Sequence, residues 1–212
     1  MDPEEAWLRL RSGNEPFALN EPVHPHESLS WRRHMAHSAR PFAAILGCSD
    51  PASPPELLFD QGIGDLFVIR VAGNVVADDV LGSLQFAGAH LGTRLFVVLG
   101  HEGCQTVRVA LEEHCGRGRQ AGRLESVVHL ILPALAHLPH RGDVSALMTE
   151  AVEANVRHSA RRVAAMTEAR KALEQRRIKV VAAMAQPETG RVRWLDDAAF
   201  AGAPNSNSAR TC

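Results

Sequence analysis

The chain reads as an α/β fold: a mostly parallel β-sheet flanked by helices, preceded by an N-terminal helical arm. Three observations carry that reading. Four short apolar or β-rich runs begin at Phe42, Leu66, Leu95 and Ile178. Helix-length segments separate them, and strands alternating with helices build a sheet with helices on both faces. A length of 212 residues with 45% apolar content is enough for one sizeable core.

Residues 1–40 hold two Trp, four His and several Pro, and read as one or two helices that pack on the rest of the same domain. The α/β domain is placed at 41–200. Its first strand is Phe42-Ala-Ala-Ile-Leu-Gly. Pro51, Pro54 and Pro55 forbid regular helix until Glu56, where one short turn can form before Gly62 and Gly64. The second strand is Leu66-Phe-Val-Ile-Arg-Val. Val80, Leu81, Leu84, Ala87 and Leu91 recur at helical spacing, which predicts a helix over 78–91 that stops at Gly92. A third strand at 94–100 leads into a helix from near Gly103 to Gly116, with Cys115 a thiol at its end. Residues 124–138 form an apolar helix bent at Pro133, and the Ala- and Arg-rich stretch 144–177 reads as one long helix. A fourth strand follows from Ile178, and the turn Glu188-Thr-Gly-Arg leads to a short strand at 191–195. The segment 201–212, rich in Asn, Ser, Gly and Pro and ending at Cys212, has the composition of a disordered tail.

Composition excludes several function classes. The net charge of −1 provides no general field for nucleic acid or an acidic membrane, and no apolar run reaches the ~20 residues of a membrane helix. Neither a nucleic-acid nor a membrane partner is expected. Of the basic residues only Lys171 and Lys179 are lysine, yet the arginines are scattered, and the loop from Arg117 to Arg123 reads as solvated. The start, Met1-Asp-Pro-Glu-Glu, lacks the basic-then-apolar order of a signal peptide, so a cytoplasmic, reducing setting is expected. There, cysteines are ligands or free thiols more often than disulfides.

Two clusters carry the chemistry. Cys48-Ser49-Asp50 directly follows the first strand, and His101-Glu102-Gly103-Cys104 directly follows the third. Either alone is weak evidence, since a Cys ending a buried strand is usually a small apolar residue. Together they place two thiols and an imidazole beyond the carboxyl ends of strands in one sheet, where α/β proteins bind ligands. Cys and His are usual zinc ligands, and three of them leave a catalytic zinc one open position.

The series Cys48-Ser-Asp, Pro55 through Gly73-Asn, Gly82-Ser-Leu and Val98-Leu-Gly-His-Glu-Gly-Cys closely resembles the β-class carbonic anhydrases. Glu153-Ala-Asn-Val-Arg and Ile178 through Gly190-Arg-Val extend the collinear resemblance over roughly residues 14–196. It implies a zinc enzyme that interconverts carbon dioxide and bicarbonate, working as a homodimer or larger homo-oligomer wrapped by its N-terminal helices. The large apolar residues Trp7, Leu8, Leu10, Phe17 and Trp31 in the arm agree with such a partner surface. By motif position Cys48, His101 and Cys104 would bind Zn2+, Asp50 would be the catalytic carboxylate beside the open position, and Gly103 would lie with the substrate. Two thiolates and a neutral imidazole give zinc no net charge, so a carboxylate accepting a hydrogen bond from its water would help that water ionise.

The chain departs from the family pattern at several positions. The pattern C-x-D-x-R reads Cys48-Ser49-Asp50-Pro51-Ala52, so the arginine that holds the aspartate off the metal is absent. A family glutamine is replaced by Ala39, and a glycine after the second cysteine by Gln105. Of a Trp–Arg–Tyr bicarbonate-sensing trio, Ile45 replaces the Trp, the chain has no Tyr, and only Arg70 remains. With Ala52 in place, Asp50 is expected to be a fourth zinc ligand in much of the resting population, with activity weak near neutrality and rising with pH. Two other functions fit the same ligands. One is hydrolysis of carbonyl sulfide or carbon disulfide. The other is a catalytically silent zinc protein with a structural or regulatory role, which the loss of Arg and Gln would favour.

Overall fold

The computed structural model describes residues 1–195, so the tail at 201–212 with Cys212 lies outside the described residues. Five strands form one sheet in the order β2-β1-β3-β4-β5. They are β1 (Ala43–Cys48), β2 (Leu66–Val71), β3 (Leu95–His101), β4 (Lys179–Gln186) and β5 (Arg191–Leu195). The first four are parallel, and β5 returns antiparallel along β4, the consequence of the tight turn before it. From β1 the chain crosses to β2 on one side and then to β3 on the other. The switch point of the sheet therefore lies between the carboxyl ends of β1 and β3, where Cys48 and His101 sit.

Successive strand residues point to opposite faces, and both faces are covered. Ala44, Leu46, Phe96, Val98, Val180, Ala182 and Met184 belong to a core built with α4 (Asp78–His90), α5 (Gln105–His114), α6 (Arg123–Leu135) and α7 (Val144–Ala164). Ala43, Ile45, Val97, Leu99, Val181 and Ala183 face a second, smaller core with Ala6 and Leu10 of α1 (Pro3–Ala18) and Leu58 of α3 (Pro55–Leu58). α1 starts where Asp2 accepts a hydrogen bond from the Glu4 amide at 2.9 Å and Pro3 fixes the first turn. Gly100 is where α7 lies closest to the sheet. A Cβ there would come within 2.2 Å of Val156 Cγ2, so any side chain would push the helix off β3. One turn earlier on the same helix, the Glu153 carboxylate takes Arg157 at 2.9 Å and Arg193 of β5 at 2.7 Å. Burial works against its charge, but the two guanidinium groups prevail and hold its pKa below the ordinary carboxylate value.

The elements lie where the sequence reading puts them, with one correction. The segment 144–177 is two helices, α7 and α8 (Thr167–Glu174), separated at Ala165 and Met166. No Gly or Pro marks the break; Met166 takes an extended conformation with ψ 137°. The break redirects α8 so that Ala169 and Ala172 become buried, a tertiary effect that residue propensity does not encode.

The arm also uses more of its apolar side chains internally than a partner surface would suggest. Leu10 is fully buried, and Trp7 and Phe17 pack on the smaller core. Trp31, on α2 (Leu29–Ser38), stacks on His26 with ring centres 4.0 Å apart, and its indole N–H donates to the Ile63 carbonyl at 2.7 Å. Of the five, only Leu8 remains largely open, at 58% exposure. No helix among the described residues is long and apolar enough to cross a membrane.

Candidate metal centre

Cys48 closes β1, His101 closes β3, and Cys104 lies just ahead of α5, and all three are buried. Their ligand atoms lie within 4.8 Å of one another, the one such group of three or more among the described residues. The two sulfurs are 3.9 Å apart, and both cysteines are free thiols. The register explains the convergence. β1 and β3 run parallel and adjacent, so the residues after Gly47 and Gly100 emerge side by side at one end of the sheet.

The donor set fits a metal ion. His101 Nδ1 lies 3.1 Å from the Glu102 carbonyl oxygen, which takes the ring proton on that side. Nε2 is then the lone-pair nitrogen, and it is buried with no hydrogen-bond partner in the protein. A buried polar atom left unpaired costs about 1–3 kcal/mol. A cation between it and the two sulfurs removes that cost, and one nitrogen with two sulfurs is a zinc donor set.

Electrostatics point the same way. The Cys104 thiol donates to Cys48, which pulls the Cys48 thiol far below its ordinary value, against the opposing effect of burial. The amides of Asp50 (3.5 Å) and Gly73 (3.3 Å) also donate to the Cys48 sulfur and help stabilise its thiolate. The same hydrogen bond, together with burial, pushes Cys104 up. For His101, burial disfavours the charged ring, but the adjacent Cys48 thiolate outweighs it and raises the pKa. One proton is thus held between two sulfurs at the place a metal ion would occupy. Metal binding must expel it, so affinity falls as pH falls.

Asp50 stands at the edge of this group. Its Oδ1 accepts the Ala52 amide at 2.9 Å, so the main chain of Ala52 supplies a partner even though its side chain cannot. Behind the loop, Arg70 of β2 donates from Nε to the Cys48 carbonyl at 3.0 Å and from Nη2 to the Asp50 carbonyl at 2.5 Å. Gly103, at φ +71°, has nothing within 4 Å of where a Cβ would be, which leaves open space beside the two ligands. Gln105, which stands where the family has glycine, turns its amide back to the Gly103 carbonyl at 3.2 Å. Ile45 is fully buried within the sheet, and Ala39 is exposed at the end of α2.

Two supporting residues escaped the sequence reading. Gly73 sits in a 3-10 turn at Ala72–Asn74 with φ +65° and gives its amide to the Cys48 sulfur. A Cβ there would meet Ile131 at 3.0 Å and Thr106 at 3.1 Å, so the turn needs glycine. Asn155, fully buried on α7, donates to the Gly73 carbonyl at 2.8 Å and pins that turn. A Gly-Asn pair directly after a strand, and a lone amide on an apolar helix face, were the available signals.

Comparison with known proteins adds an independent line. The carbonic anhydrase family model matches residues 43–192. Carbonic anhydrase 2 of Mycobacterium tuberculosis is 40% identical over 134 residues, covering 63% of this chain and 65% of its own length. The chain thus matches just under two thirds of that relative. The carbonic anhydrase of Pseudomonas aeruginosa is 30% identical over 187 residues, covering 78% of both chains. Among solved structures, the Coccomyxa β-carbonic anhydrase in complex with acetazolamide superposes with a TM-score of 0.69 at 25% identity, covering 77% of this chain and 75% of its own. A β-carbonic anhydrase of Aspergillus fumigatus superposes with a TM-score of 0.72 over 93% of this chain and 92% of its own, at 24% identity, a likeness of fold.

Proposed function

The chain belongs to the β-carbonic anhydrase family, and from that premise we propose that it catalyses the zinc-dependent reversible hydration of carbon dioxide to bicarbonate. The observation that carries the reading is the convergence of Cys48, His101 and Cys104 with an unpartnered imidazole nitrogen. These three would hold Zn2+, and Asp50 is a candidate fourth donor. Zinc bound there supplies Lewis-acid chemistry and lowers the pKa of water. The protein's own groups do the rest. The amides of Asp50 and Gly73 fix the Cys48 sulfur, and the Glu102 carbonyl fixes the His101 tautomer. The open space over Gly103 admits a small substrate, and the Asp50 carboxylate is placed to accept a proton or a hydrogen bond beside it. With no arginine side chain at position 52, Asp50 would compete for the open zinc position near neutrality, and activity would rise with pH. A hydration assay on zinc-loaded protein tests the function, and the same stopped-flow run with carbonyl sulfide and carbon disulfide tests the choice of substrate. A cytoplasmic setting suits the site, because both ligand thiols must stay reduced.

We further propose that the working unit is a homodimer or larger. Leu8, Leu19, Val23 and Leu29 in the N-terminal arm are 58%, 63%, 74% and 55% exposed, and β2 is an edge strand with no partner on its outer side among the described residues. One structural neighbour, from Sordaria macrospora, is one of two β-carbonic anhydrases of that fungus described as tetrameric. Light scattering at micromolar concentration is expected to give at least twice the 23.0 kDa chain mass. A 23.0 kDa species would contradict this.

A further inference from the structure

We propose that Arg70 is a positioning residue for the metal loop, fixing the backbone that carries Cys48 and Asp50 from behind. The inference rests on the metal site proposed above. One planar guanidinium bridges two main-chain carbonyls two residues apart, Cys48 O at 3.0 Å and Asp50 O at 2.5 Å. Those carbonyls belong to the ligand itself and to the carboxylate beside it. With both held, the Asp50 amide points back at the Cys48 sulfur at 3.5 Å and the Asp50 carboxylate reaches the Ala52 amide at 2.9 Å. Proline at 51 removes one main-chain donor from this turn, and the exposed Ala52 side chain has no polar group to add. The loop therefore depends on a restraint from outside its own sequence. Arg70 supplies it from β2, whose last residue, Val71, is paired in register with Cys48.

A guanidinium suits this task and an ammonium does not. The rigid fork presents two donors at a fixed separation, whereas lysine is a flexible point charge that satisfies one carbonyl at a time. Removing a group that orients a metal ligand typically weakens metal binding about 10–100-fold. The orientation of the Cys48 sulfur is also what a cobalt ion reports, through the intensity of its thiolate charge-transfer and ligand-field bands.

The test uses the full chain loaded with Co2+ in competition with a chelator, for the parent, Arg70→Ala, Arg70→Lys and Arg162→Lys. Arg162 is the control. Its Nη1 also donates to a main-chain carbonyl, that of Val76, at 2.6 Å, but neither group belongs to the metal loop. Arg70→Ala is expected to bind Co2+ about 10–100-fold more weakly than the parent. Arg70→Lys is expected to weaken binding about tenfold with altered visible bands. Arg162→Lys is expected to match the parent in affinity within about twofold and in spectrum, whatever its thermal midpoint. Should Arg70→Ala fail to fold, Arg70→Lys decides alone. A folded Arg70→Lys with parental affinity and spectrum overturns the inference, because a purely structural arginine would shift only the thermal midpoint. A parent that binds no Co2+ overturns the metal site itself, and the inference with it.

Discussion

Replacing Cys104 by serine is expected to leave the chain with less than about a tenth of the zinc the parent carries. The change is nearly isosteric, and Cys104 is 1% exposed at the start of α5, so the helix and core have little reason to rearrange. The chemistry changes completely. A serine hydroxyl does not ionise near neutral pH, so the site loses one of two thiolates. It keeps a histidine nitrogen, one sulfur and, at most, the Asp50 carboxylate, a set without the second thiolate that tight tetrahedral zinc binding here relies on. Metal analysis after dialysis against a weak chelator reads the result, and unchanged zinc content would remove Cys104 from the ligand set. The variant is also expected to show a smaller thermal shift on adding zinc, since a ligand stabilises only the state that binds it.

The Ala52→Arg variant is expected to gain hydration activity at neutral pH by about tenfold over the parent. The family pattern has an arginine at this position, and its absence leaves the Asp50 carboxylate with the Ala52 main-chain amide as its one hydrogen-bond donor among the described residues. A guanidinium would add a charge-assisted bond worth about 1.5–3 kcal/mol against any competing position of the carboxylate. Roughly 1.4 kcal/mol of it, expressed in the rate, is a factor of about ten. Position 52 is exposed, so the longer side chain has room, and Arg70 already fixes the loop carbonyls beneath it. The gain should shrink at high pH, where the parent becomes active by itself. Equal zinc content with no gain at neutral pH would show that Asp50 does not limit the parent enzyme.

Much of the fold was legible because its strands are short apolar runs between helix-length segments, and glycines at 92 and 116 stop their helices at positive φ. The division of 144–177 was not legible. Nothing in Ala164-Ala-Met-Thr demands a break, and the burial of Ala169 and Ala172 that accompanies it is a tertiary effect. The candidate metal ligands were legible because thiol and imidazole side chains in two tight clusters, each directly after a buried strand, are unusual. Their support was not. Asn155 and Gly73 act through main-chain amides and carbonyls up to 82 residues away, contacts that leave no local pattern in a sequence. Leu10, read as part of a partner surface, is instead fully buried within the chain; apolar residues in an arm look the same whichever surface they cover.

Carbon dioxide hydration, followed by stopped flow on fully zinc-loaded protein between about pH 6 and 9, tests the account most directly. The account predicts hydration above the uncatalysed background that is weak near neutrality and climbs steadily with pH. Full zinc occupancy with no hydration above background across that range would contradict it.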